Sequence, residues 1–295
     1  MDAHVESRKT KTRIKKISRF SVVFRQLRKN KLAMAGLVVI ILLMLVAIFA
    51  PYIMPFDYDQ QNWEKPLVTY SREHPLGTDH LGRDILSRLI YGTRISLFMG
   101  VSIVILGSVI GILLGGIAGY CGGKTDNIIM RFLDIYQSIP AILLAIALAS
   151  AVTPGIGSTI IVLSIASFPA NARLMRASIL QVRQQEYIEA SHAISASNLR
   201  ILLTHVLPNA FSPMIVFITM YIGAAILVTA TLSFIGLGVQ PPTPEWGSML
   251  ARGRGLMRDH PTLVLYPGLM IMITVLALNL FGDGLRDALD PRLKN

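Results

Sequence analysis

The chain has 295 residues, 53% of them hydrophobic and only 15% charged, with a mean hydropathy of +0.56. Soluble domains carry about 25% charged residues, so a deficit this large points to lipid as the solvent and excludes a soluble enzyme. The net charge of +11 does not point to nucleic acid, because aromatics are 7% and 11 of the 28 Lys and Arg lie in residues 1–31, beside an apolar run.

Residues 1–31 read as a basic cytoplasmic tail and residues 32–54 as the first transmembrane helix. Leu32–Phe56 runs 25 residues without a charge, more than the roughly 20 needed to cross a bilayer core. The long basic region, the spanning length and the lack of a small-residue cleavage pattern argue against a cleavable signal peptide. Residues 55–94 follow outside. They end in Gly82–Leu97, where Ile85, Leu86, Leu89 and Ile90 form an apolar stripe opposite Arg83, Asp84, Ser87 and Arg88. That spacing predicts an interfacial helix ahead of the second span. His74, His80, Asp79 and Asp84 form no recognisable metal motif, so turn and capping roles are expected and no metal.

The second span, about 95–122, carries Gly107, Gly111, Gly115, Gly119 and Gly123, one at every fourth position. Such a rhythm bares one helix face for close approach, either as internal packing or as a gate or subunit seam. Cys121 is the only cysteine, which excludes an intrachain disulfide and suggests a small packing residue. Gly122-Gly123-Lys124-Thr125 imitates the end of a phosphate-binding loop. The pattern requires glycine at 118, where Ala118 stands, so no nucleotide site is expected on this chain.

The third and fourth spans, about 128–152 and 157–173, share the charge-free stretch Ile135–Ala172. Its 38 residues are marginal for two crossings, so the third is expected to take in Arg131 and Asp134. Three apart on one helix face, these two are expected to form a structural ion pair at the headgroup boundary. Spans five and six follow at about 210–236 and 261–282, separated by an outer loop at about 237–260. Trp246 and Tyr266 sit where interfacial anchors belong. Asn171, Asn279 and Gln137 face either a path or a neighbouring helix. Residues 283–295 complete the chain. With the N-terminus inside, 20 Lys and Arg fall on inner segments and 8 on outer ones, which puts both termini in the cytoplasm.

The inner segment at about 173–209 is the most informative. Gln184 to Ala196 alternates charged and small residues along a short helix too polar for the membrane, and Pro208 is expected to end the segment before span five. A loop with its own helix, in a chain without an energy source, suggests docking onto a soluble partner, or else a solvated connector.

This segment resembles the EAA loop of binding-protein-dependent ABC importer permeases. Glu189-Ala190-Ser191 takes the Glu-Ala-Ala place and Leu207-Pro208 the Leu-Pro place, while Ser195 stands where the family has glycine. Other blocks resemble the dipeptide/oligopeptide group: His74–Asp79 with Gly82–Arg88, Asp126–Arg131 with Asp134, Gln240–Gly247, and the ending Gly282–Pro291. The likeness is closest to the C-type permease subunit, whose relatives carry dipeptides, oligopeptides, glutathione or nickel complexes.

The resemblance implies an all-α integral membrane protein of type I ABC importer permease type, with six transmembrane helices and a five-helix permease core over 95–282. It implies half a pore, completed by a homologous B-type permease subunit. Two ATPase subunits would lie below and an extracytoplasmic peptide-binding protein above. ATP and magnesium would belong to the ATPases, leaving no cofactor and no catalytic residue on this chain. Coupling would fall to Glu186, Tyr187, Glu189, Ala190, Ser191, Ser195, Leu207 and Pro208. A nickel-complex importer is the alternative within the family. A stand-alone secondary transporter and a membrane-embedded enzyme are the readings outside it, and the chain shows neither a buried carboxylate chain nor a convergent catalytic cluster.

Overall fold

The structure, a computed structural model, describes residues 24–289. Most of the basic tail, together with Asp290 and Pro291 of the last family block, lies outside the described residues. Helices dominate, and the only strand-like pairing among the described residues is an isolated antiparallel bridge between Thr78 and Asp84.

Helix α1 (Lys31–Ile53) starts where Asn30 accepts a hydrogen bond from the Ala33 amide, which satisfies one of the orphan donors of a helix start. Helix α2 (Ile85–Cys121) is 37 residues long, about 55 Å at 1.5 Å per residue. It merges the expected interfacial helix with the second span. The first turns of α2 do not lie on a membrane surface, because both stripes are covered: Ile85 and Leu89, but also Arg83, Ser87 and Arg88, are buried.

The expected third span is two helices, α3 (Gly123–Gln137) and α4 (Ala141–Ser150), bent by 78°. Pro140 explains the break. It lacks an N–H and drives the preceding residue away from helical geometry. Helix α5 (Ile156–Arg183) continues ten residues past the expected end at 173. A short helix, α6 (Glu186–Ala193), leads into α7 (Asn198–Phe234).

Pro208 does not terminate that segment. A π-turn at Leu202–Val206, closed by the Leu207 amide on the Leu202 carbonyl, precedes it. The wider turn relieves the clash a proline ring makes with the preceding turn, and the helix runs on. The inner loop is therefore only about 184–197 rather than 173–209. Helix α8 (Trp246–Gly253) lies in the outer loop, and α9 (Thr262–Leu289) closes the fold. Among the described residues five helices are long and apolar enough to cross a membrane, six if the bent α3–α4 pair counts as one span.

Of the five apolar clusters among the described residues, three follow one another from the outer to the inner end. The outer one gathers Ile85, Leu89, Ile226, Trp246, Met249 and Leu263. The middle one joins Met99, Ile103, Leu163, Ala225 and Leu232. The inner one holds Met175, Ile179, Ile188, Ile201, Val206 and Met214. Trp246 is fully buried, so it is a core residue of the outer cluster and not an interfacial anchor. Cys121 is exposed, not packed.

Candidate functional site

The glycine face of α2 lies against α5 of the same subunit. A Cβ added at Gly107 would stand 3.2 Å from the Ser164 carbonyl oxygen. At Gly111 it would meet the Phe168 oxygen at 2.7 Å, and at Gly119 the Arg176 oxygen at 3.1 Å. At Gly115 it would lie 2.9 Å from the Ala172 carbonyl carbon. Four of the five glycines thus form an internal seam. Gly123 does not belong to it, because it opens α3 with positive φ and nothing lies within 4 Å of a Cβ there. The chain turns between Cys121 and Gly123, and the four-residue rhythm loses its structural meaning with the end of α2. Asn171, fully buried in the seam, accepts from Ser108 Oγ at 3.0 Å, the interhelical alternative rather than a path-facing one.

The expected Arg131–Asp134 pair is absent. Asp134 instead accepts from Arg173 at 2.6 Å on α5. One side of α3 therefore carries two acids that meet two arginines of α5, since Asp126 pairs with Arg176 at 2.5 Å. A base at i and an acid at i+3 on an exposed turn gain little from each other. A cross-helix partner satisfies Asp134 and also fixes where the broken span leans. The signal was legible but unread: Asp126 and Asp134 are eight apart, Arg173 and Arg176 three apart, and each pair shares one face of its helix.

The inner end of this assembly holds the short helix α6. Ile188 is its anchor, 2% exposed within the inner cluster. Glu186, Tyr187, Glu189 and Ala190 point away from the protein and are exposed. Ser191 Oγ donates back to the Tyr187 carbonyl at 2.7 Å, and the Tyr187 ring stands edge-on to His205 at 6.5 Å. Ser195 follows the helix at φ 58°, the left-handed region in which glycine is the unstrained residue. The substitution of serine at this place leaves the turn formed and makes it strained. Leu207 is half-buried and Pro208 exposed just beyond the π-turn.

Two residues that sequence reasoning missed bracket α6. Arg183, three positions before it, donates to the carbonyls of Gly119 at 2.9 Å and Tyr120 at 2.8 Å, the bare C-terminal acceptors of α2. Its guanidinium lies 5.8 Å from the centre of the Tyr120 ring. Tyr120 Oη in turn donates to the Asn198 carbonyl at 2.7 Å, where α7 begins. The base of α6 is therefore tied at both ends to α2. Carbonyls of helix ends leave no pattern in a sequence, so only the fold exposes this contact.

At the opposite end, charged groups lock the outer segment. Asp84 caps α2 by accepting from the Ser87 amide and Ser87 Oγ, both at 2.7 Å, and its other oxygen lies 2.9 Å from His74 Nδ1. Asp79 accepts from the Leu81 and Arg83 amides and pairs with the Arg83 guanidinium at 2.7 Å. Burial pushes the Asp79 carboxyl up, but the Arg83 hydrogen bond and charge more than offset this and hold it below the usual value. Gly82 must be glycine, since its φ is 69° and a Cβ would meet the Asn62 carbonyl carbon at 2.6 Å. Arg88 reaches from α2 to the carbonyls of Tyr58 at 2.8 Å and Pro242 at 3.4 Å. Glu245, fully buried, caps α8 by accepting from the Gly247 and Ser248 amides at 2.9 Å each. His74, Asp79 and Asp84 thus take the structural roles expected of them.

Between the two ends, α2, α4, α5 and α7 enclose an apolar recess of about 70 Å³ lined by Ile103, Ala141, Ala145, Leu163, Ser167 and Tyr221 among others. No group of three or more His, Cys, Asp or Glu residues that could hold a metal occurs among the described residues.

This geometry defines an all-α, multi-pass membrane protein with a short exposed helix presented on a helical frame. The fold is similar to that of a subunit of the MetNI methionine ABC transporter in inward-facing conformations, with TM-score 0.58 and 20% identity. That match covers 69% of this chain and 96% of the other. The chain belongs to the family of binding-protein-dependent transport system inner membrane components, whose model matches residues 111–295. A second model, the N-terminal TM domain of oligopeptide transport permease C, matches residues 18–70. Among curated relatives, the chain is 46% identical to the dipeptide transport system permease protein DppC of Haemophilus influenzae, over 90% of this chain and 92% of that one. It is 47% identical to the glutathione transport system permease protein GsiD of Pectobacterium atrosepticum, over 92% and 90% respectively. It is a transport subunit of the cytoplasmic membrane.

Proposed function

We propose that this chain forms half of the translocation path of an ATP-driven importer for dipeptides and short oligopeptides, glutathione included. A homologous B-type permease completes the path. Two ATPase subunits bind ATP and magnesium on the cytoplasmic side, and an extracytoplasmic peptide-binding protein delivers cargo. The chain itself performs no covalent chemistry. The substrate class follows the dipeptide and glutathione permeases to which the chain is similar over nine-tenths of its length.

One observation carries the mechanism: α6 shows Glu186, Tyr187, Glu189 and Ala190 to solvent while Ile188 roots it in the inner cluster. A rigid, exposed helix on a small apolar root suits a groove on a moving partner. Its displacement reaches α5 through Gln184 and Gln185, α7 through Ser195, and α2 through Arg183 and Tyr120. Because α2 and α5 touch along backbone at the glycine seam, they move as one body. The recess between α2, α4, α5 and α7 is then the space whose opening alternates. The Asp126–Arg176 and Asp134–Arg173 pairs make α3 follow α5.

The test is Glu189→Lys in the complete complex, reconstituted in vesicles. Membrane insertion and recovery of the second permease should be unchanged, while ATP-dependent peptide uptake falls at least tenfold, by about 1.4 kcal/mol of lost coupling. Undiminished uptake sinks the assignment of α6. Recovery of the folded chain alone, with uptake abolished by collapsing a proton gradient, sinks the importer reading as a whole.

A further inference from the structure

We infer that the outer face of this chain holds a seat for a single carboxylate, built by Arg88 and Arg252, which receives an Asp or Glu side chain of the extracytoplasmic binding protein. The inference rests on the importer reading above and adds a specific contact to it.

The seat is a small recess between the start of α2, the last turn of α8 and the start of α9. Asp79, His80, Ile85, Arg88, Arg252 and Leu263 line it, with Met249 and Gly253. Its charge balance is uneven. Three guanidiniums, those of Arg83, Arg88 and Arg252, gather around two carboxylates, Asp79 and Asp59. Arg83 takes the close contact with Asp79, at 2.7 Å, and lies 3.7 Å from Asp59. Arg88 is left with Asp79 at 3.8 Å, and Arg252 has no ion pair among the described residues. The Asp79 oxygens are already occupied by the Leu81 and Arg83 amides and the Arg83 guanidinium. His80 adds no countercharge, since an imidazole is neutral or cationic, and burial lowers its pKa.

Arg88 supplies the second, independent sign. It is 2% exposed, and its Nη1 is used on the carbonyls of Tyr58 and Pro242. Its buried Nη2 has no hydrogen-bond partner. A buried guanidinium left with an unpaired donor and excess positive charge is costly unless an acceptor arrives. A carboxylate is the acceptor that suits the site, since one of its two oxygens can take the free Arg88 Nη2 donor while its charge answers Arg252.

Size and position choose the source. The recess holds about 20 Å³, the scale of one or two buried waters, so the tip of a side chain enters and a peptide does not. It shares no lining residue with the apolar recess among α2, α4, α5 and α7, so cargo on that path does not pass through it. It opens on the face where the outer segment and the outer loop meet, the side from which a binding protein approaches.

The experiment uses the full complex in lipid nanodiscs and its peptide-loaded binding protein, with affinity and stimulated ATP hydrolysis read at low and physiological salt. Arg252, half-buried and free of structural hydrogen bonds among the described residues, is changed to Gln and to Glu. Arg258, exposed on the same face and outside the recess, is changed to Glu as the control. Arg252→Gln should weaken binding about tenfold and Arg252→Glu more, while Arg258→Glu changes it less than twofold. An Asp or Glu of the binding protein changed to Arg should restore binding to Arg252→Glu.

Equal losses in Arg252→Glu and Arg258→Glu would show a diffuse field and overturn the seat. Unchanged affinity in Arg252→Glu would leave only water in the recess and overturn it as well. Unchanged affinity with slowed uptake would assign the carboxylate to cargo, again against the proposal. A wild-type complex that no peptide-binding protein stimulates would instead refute the importer reading itself.

Discussion

Gly115 and Gly116 are adjacent, and the structure sets opposite outcomes for the same substitution. A Cβ at Gly115 would lie 2.9 Å from the Ala172 carbonyl carbon and 3.0 Å from its Cα, with the carbonyl oxygen closer still. Ordinary contact begins near 3.4 Å, and all three neighbours are backbone of α5, which cannot rotate aside. Gly115→Ala therefore forces α2 and α5 apart by about an ångström along the seam, an overpacking cost of about 1–3 kcal/mol. Gly116 has nothing within 4 Å of its would-be Cβ, and Gly116→Ala should be neutral or stabilising by up to about 1 kcal/mol, as glycine-to-alanine changes inside helices are. Thermal unfolding of the two purified variants in one detergent, followed by fluorescence-detected size exclusion, reads the difference. Uptake should fall with stability in Gly115→Ala and hold in Gly116→Ala. Equal midpoints for the two, or a Gly115→Ala protein as stable as wild type, would refute the seam.

Four further outcomes are expected. Ser195→Gly should raise stability by about 1 kcal/mol by removing the left-handed strain of a non-glycine residue, and Ser195→Val should lower it, both read by thermal unfolding. Tyr120→Phe, which removes only the hydroxyl held by the Asn198 carbonyl, should leave assembly intact and raise the ATP hydrolysed per peptide imported, with Arg183→Ala doing the same more strongly. Glu245→Gln should cost about 1–3 kcal/mol, because the amide turns one of two buried acceptors into a donor facing an N–H. Asp79 is held below its ordinary carboxylate value, so its stabilisation is complete above about pH 4 and is lost as pH falls through the lowered value. Fluorescence of buried Trp246, recorded between pH 7 and 3 against an Asp79→Asn variant, should show that acid-side transition only in the wild type.

Much of this protein was legible in its residues. Lipid as solvent, the number of spans counting the bent pair as one, the helical class and the family all follow from composition, charge-free runs and local motifs. These are properties of short stretches of chain: a bilayer demands roughly 20 apolar residues wherever they occur, and Glu189-Ala190-Ser191 with Leu207-Pro208 marks its loop without reference to distant residues. The same holds for the caps, since an Asp or Glu before a helix serves amides two or three residues away, as Asp84 and Glu245 do.

What the tertiary structure alone decided concerns partners far apart in sequence. Arg131 sits three residues from Asp134, yet the partner of Asp134 is Arg173, on another helix. The apolar and charged stripes of the early α2 predicted a surface, but both are buried because Tyr58, Asp79 and Pro242 supply acceptors for its arginines. Trp246 reads as an anchor by its place near a span end, and is core because α8 folds back over α2 and α7. Glycine spacing announces a close approach, but only the fold names α5 as the neighbour and drops Gly123 from the face. Periodicity tells which side of a helix will be covered, whereas the identity of the cover depends on how every other helix packs.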